Sequence, residues 1–77
     1  MDHVDIEVSR DQGHIYIFTG DGDLIEMHVP GRRDSVVEAM RARPPSLVIL
    51  SGAVEEEHIA EALTELGHEV TLAAAIG

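Results

Sequence analysis

Val4, Ile6 and Val8 alternate with Asp5, Glu7 and Ser9, the period of a strand with one buried face. After turn residues at Asp11-Gln12-Gly13, the run Ile15-Tyr16-Ile17-Phe18 is apolar at every position, which predicts a strand covered on both sides. Gly20-Asp21-Gly22-Asp23 supplies hairpin chemistry leading into residues 24–29. There Ile25, Met27 and Val29 share one face, and Leu24, Glu26 and His28 the other. Pro30-Gly31 stops that strand, so the first third reads as a three-stranded meander.

Ser35-Val36-Val37-Glu38 fits a capping box at a helix start. Val36, Val37 and Met40 give that helix its apolar stripe, and Pro44-Pro45 ends it, because proline disfavours helix in the residue before it. Leu47-Val48-Ile49-Leu50 is a short, wholly apolar run of the kind found in central parallel strands. Ser51-Gly52 turns the chain. Glu55, Glu56 and Glu57 then suit the positive end of a second helix. Ile59, Leu63 and Leu66 follow at i, i+4 and i+7, and Gly67 suits the position just past the helix end. The spacing predicts this helix over 55–66, with Val70 and Leu72 in a last strand.

The order is βββαβαβ, an α/β fold in one small domain over residues 1–77. Residues 47–72 form a β-α-β unit, and such crossovers are right-handed in about 98% of cases. With the first strand beside 47–50, the sheet order is 3-2-1-4-5, and right-handedness places both helices on one face. The chain ends at Gly77, so no segment is expected over the other face. Because 15–18 and 47–50 are apolar on both sides, that bare face should associate with a second copy or a protein partner.

Charge changes this picture in one respect. Fifteen acidic and five basic residues give a net charge of −10. Only residues 27–45 are positive, where Arg32, Arg33, Arg41 and Arg43 outnumber Asp34 and Glu38. Such a surface repels phosphate backbones, so direct nucleic-acid binding is not expected. The absence of cysteine removes disulfides, thiolate metal sites and thiol nucleophiles. Met1-Asp2-His3 lacks the features of a signal peptide, and no apolar run can span a bilayer. A cytoplasmic, non-membrane protein is the expectation.

Ile6-Glu7-Val8-Ser9-Arg10 and the meander after it resemble the opening of IS110-type transposases, whose catalytic domain is RuvC-like and ribonuclease H-like. Leu47-Val48-Ile49-Leu50, the polar helix and Gly67-His68-Glu69-Val70 resemble that family's next strand, helix and strand, so the likeness spans about residues 4–72. It implies a ribonuclease H-like sheet order. The family's signature residues are largely absent: Glu7 stands where it places an aspartate, Ser51 where it places a glutamate, and its later aspartates fall in a segment this chain lacks. Two-metal phosphodiester cleavage needs several carboxylates around two cations, so the likeness supports the fold and not the activity.

The candidate residues are few. Glu7 is a candidate metal ligand, as a residual carboxylate on the first strand. Asp21 and Asp23 do not complete a calcium loop and read as turn residues. The five histidines, His3, His14, His28, His58 and His68, match no ligand spacing and read as surface residues. Glu55 and His58 have the i, i+3 spacing of a di-iron helix pair but lack the second pair. His14 and His28 can face each other across the hairpin. No cofactor is expected, and Ser51-Gly52 lacks the setting of a nucleophile elbow.

These features predict a non-catalytic interaction module that homodimerises or binds a protein through the uncovered sheet face. Ile15, Ile17, Val48 and Leu50 are its expected apolar contacts, and Glu55, Glu56 and Glu57 its expected acidic ones. The alternatives are a remnant of a metal-dependent RuvC-like nuclease, and a small acidic inhibitor that occupies a basic nucleic-acid-binding groove of a target.

Overall fold

The computed structural model describes residues 1–52 and 56–75. Strands β1 (Asp2–Val8), β2 (Gln12–Phe18) and β3 (Leu24–Pro30) form the meander, followed by α1 (Arg33–Arg41), β4 (Ser46–Gly52), α2 (Glu56–Glu65), β5 (Glu69–Leu72) and a 3-10 turn at Ala73–Ala75. The five strands make one mixed sheet in the order β3-β2-β1-β4-β5. β1 runs antiparallel to β2 and parallel to β4. This is the predicted α/β architecture, with both helices on one face.

The core lies between that face and the helices. Val4, Ile6, Val8, Ile15, Ile17, Val48 and Leu50 from the sheet meet Val36 and Met40 of α1 and Ile59 and Leu63 of α2, each 5% exposed or less. Full burial of such a side chain is worth about 1.5–3 kcal/mol of transfer free energy, so this single layer carries the fold.

Local chemistry accounts for the ends of the elements. Gly67 adopts φ 99°, a conformation open to glycine without steric cost. There its amide donates to the Thr64 carbonyl and the His68 amide to that of Leu63, closing α2. Gly22, at φ 92°, completes the β2–β3 turn, where the Thr19 amide donates to the Asp23 carbonyl at 2.9 Å. Asp21 and Asp23 belong to that turn. Asp2 at the start of β1 accepts from Arg43, beyond α1, at 2.7 Å, with both side chains largely covered.

Three expectations are corrected. α1 begins at Arg33 after an extended Arg32, without a side-chain cap. Ser35 therefore lies inside the helix, and the capping box with Glu38 does not form. The first turn of the meander is built by Ser9, whose amide donates to the Gln12 carbonyl at 2.8 Å. Gln12 and Gly13 belong to β2, and Gly13 is buried where a side chain would press on Val29 and Val36. Finally, β2 and β4 are not covered on both sides, because Phe18 is 45% and Ile49 42% exposed.

Candidate functional site

The strand pleat sends alternate residues to the face opposite the helices, and the register arranges them in three cross-strand rows. Leu24, Phe18, His3, Leu47 and Glu69 form the first. Glu26, Tyr16, Asp5, Ile49 and Thr71 form the second, and His28, His14, Glu7 and Ser51 the third. No arginine occupies a strand position, so the charged groups in these rows are carboxylates and imidazoles alone.

The apolar part of this face centres on β1 and β4. Phe18, Leu47 and Ile49 line a hollow of about 360 Å³ whose walls also include Asp5, Glu69, His3 and Thr71. Carboxylates thus stand at the edge of exposed apolar area. Polar positions outnumber apolar ones in the three rows, and the face is amphipathic.

A second grouping sits on β2 and β3. His14 and His28 are direct cross-strand partners, with ring centroids 4.0 Å apart and planes tilted by 36°. Tyr16, two residues along β2 on the same face, stacks on His14 at 4.0 Å, and its hydroxyl and His14 Nδ1 are hydrogen-bonded at 3.0 Å. His14 Nε2 is buried without a hydrogen-bond partner. Ligand atoms of His14, Glu26 and His28 all lie within 4.8 Å of one another. Partial burial, then the negative charges of Glu7 and Glu26, push the Tyr16 hydroxyl above its ordinary pKa of 10.0.

The predicted site residues are placed as follows. Ile15, Ile17, Val48 and Leu50 are at most 1% exposed beneath the helices. Their assignment as interaction contacts is corrected: the pleat turns these four inward and presents Tyr16, Phe18, Leu47 and Ile49 instead. Glu55 lies outside the described residues. Glu56 and Glu57 open α2 in the helix layer, away from the open face. Glu7 is exposed on the open face between His14 and Ser51. It stands outside the His14–Glu26–His28 group, which is the metal-competent cluster among the described residues.

His68 is corrected from a surface to a core residue. It is 3% exposed, its Nδ1 accepts the Ser46 amide at 3.1 Å, and its Nε2 lies 3.0 Å from the Met40 carbonyl. The predicted meeting of His14 and His28 is observed, but their grouping with Glu26 was not predicted. The signal was available in the hairpin register, since 14 pairs with 28 just as 18 pairs with 24, and Glu26 lies one pleat from His28.

Neither a scan of protein-family models nor a search of curated proteins finds a match to this chain. No helix among the described residues is long and apolar enough to cross a membrane.

Proposed function

We propose that this protein is a non-catalytic interaction module whose open sheet face receives a cationic amphipathic helix of a partner protein. The observation that carries this reading is the hollow walled by Phe18, Leu47 and Ile49, with Asp5 and Glu69 beside it and no arginine on the strands. Apolar side chains there anchor, and carboxylates select for arginine or lysine on the occupant.

Charge and dimensions choose between occupants. In a face-to-face homodimer, Asp5, Glu7, Glu26 and Glu69 of one copy meet the same set on the other, and like-charge juxtaposition costs several kcal/mol. A basic partner turns the same groups into attraction. Four strands of seven residues and one of four, about 4.8 Å apart, make a sheet roughly 20 Å across its strands. A helix about 10 Å across covers β2, β1 and β4, the three adjacent strands that carry Phe18, Asp5, Leu47 and Ile49. Such a helix also completes a helix-sheet-helix sandwich, the arrangement in which both faces of a sheet are covered.

Tyr16, the one tyrosine in a chain without tryptophan, lies on this face and reports on it by fluorescence. Titration with a synthetic Leu/Arg amphipathic helix lacking aromatic residues is expected to give a saturable change. Asp5→Asn with Glu69→Gln should weaken binding at least tenfold. Glu61→Gln with Glu65→Gln, an equal charge change on α2, should leave it within twofold. Equal weakening by both pairs, or no saturable signal, refutes the proposal.

A further inference from the structure

We propose that His14, Glu26 and His28 form a binding site for a borderline divalent transition-metal ion, represented by Zn²⁺. This inference does not depend on the docking reading, because it rests on a different part of the sheet. Two imidazoles and one carboxylate match zinc's preference for nitrogen and oxygen donors, and three protein ligands leave a fourth position for water. Magnesium and calcium, which need mostly oxygen ligands, are disfavoured by the same donor set.

The backbone already supplies the arrangement. His28 is held opposite His14 by the β2–β3 ladder, and Glu26 shares its face one pleat away. Bond lengths of about 2.0–2.2 Å in a tetrahedral site put ligand atoms roughly 3.3 Å apart. The three donors begin within 4.8 Å, so they need to close by about 1.5 Å at most. Glu26 and His28 are exposed on an edge strand and free to rotate by that amount. Two imidazoles on one tetrahedral ion have ring centres about 5 Å apart, so the pair must part slightly from its 4.0 Å contact.

His14 is the fixed member. Tyr16 stacks on it and occupies Nδ1 at 3.0 Å. When Nδ1–H donates to the tyrosine oxygen, the lone pair is left on Nε2, the usual way an outer partner sets the tautomer of a metal-binding histidine. Nε2 otherwise has no partner although buried, and metal coordination satisfies it. Glu7, beside His14 on β1, adds negative potential.

The test is calorimetric titration of the whole chain with Zn²⁺ and with Mg²⁺, alongside NMR of the histidine imidazoles. One Zn²⁺ per chain is expected, with no Mg²⁺ heat, and with the His14 and His28 resonances shifting while those of His58 and His68 stay. His28→Ala, at an exposed position that leaves the fold intact by circular dichroism, should weaken Zn²⁺ binding at least tenfold. Tyr16→Phe should weaken it about tenfold through the lost outer hydrogen bond, and His58→Ala should leave it unchanged. Absence of Zn²⁺ heat, wild-type affinity in His28→Ala, or a shift of His58 in place of the hairpin pair overturns the assignment.

Discussion

The buried imidazole of His68 allows a substitution pair in which hydrogen bonding and packing predict opposite orders. The first β4–β5 pair is Leu47 with Glu69, so Ser46 lies level with His68, one residue before β5 begins. Its amide finds its acceptor in His68 Nδ1 at 3.1 Å, inside the core. The Met40 carbonyl, which faces Nε2 at 3.0 Å, also accepts from the Arg43 amide at 3.2 Å. His68→Asn keeps an oxygen near the place of Nδ1, whereas His68→Gln puts its amide near the place of Nε2 and leaves the Ser46 amide orphaned. An unsatisfied buried donor costs about 1–3 kcal/mol, and losing one of two donors to a carbonyl costs about 1 or less. Glutamine fills more of the ring's volume, so packing alone favours it. Hydrogen-bond accounting instead makes the asparagine variant more stable by about 1–2 kcal/mol. For a domain of this size that is roughly 4–16 °C in Tm, readable by thermal and urea unfolding followed in far-UV circular dichroism. Equal or greater stability of the glutamine variant refutes the reasoning.

The sidedness of the sheet predicts a sharp contrast between two isoleucines. Ile17→Ala, at a site 0% exposed, should cost about 2–5 kcal/mol, whereas Ile49→Ala, 42% exposed on the open face, should cost less than about 1 kcal/mol; urea midpoints check both. Asp2 is held below its ordinary pKa of 3.8 chiefly by its hydrogen bond from Arg43, helped by the Gly20 amide and opposed by desolvation. Because the folded value is the lower one, its contribution is complete above about pH 4 and is lost as the pH falls through the folded value. Asp2→Asn should therefore narrow its stability deficit against wild type in acid, and a deficit constant from neutral to strongly acidic pH contradicts that linkage.

Much of the fold was legible because alternation and helical spacing report burial directly. Val4, Ile6 and Val8, and Ile59 and Leu63, occupy the core as their periods require. The run 15–18 was misread because Tyr16 and Phe18 count as apolar whether they sit in a core or on an open amphipathic face, so periodicity alone made a one-sided strand look two-sided. That error moved the expected contacts to Ile15, Ile17, Val48 and Leu50, one pleat from the exposed residues. Gly13 was read as turn because it has no side chain to mark burial, although its bare backbone admits Val29 and Val36. His68 was read as surface because its polarity is answered by two main-chain groups distant in sequence. The His14–Glu26–His28 cluster escaped for a related reason: its spacing exists across the ladder, and linear ligand patterns do not describe it.

On the proposed reading, the carboxylates of the open face repel a second copy and favour a cationic helix. Sedimentation equilibrium of the metal-free chain, from micromolar to near-millimolar protein at moderate salt, tests this without a partner in hand. A monomer throughout is predicted, and a dimer that Phe18→Asp dissociates would contradict it.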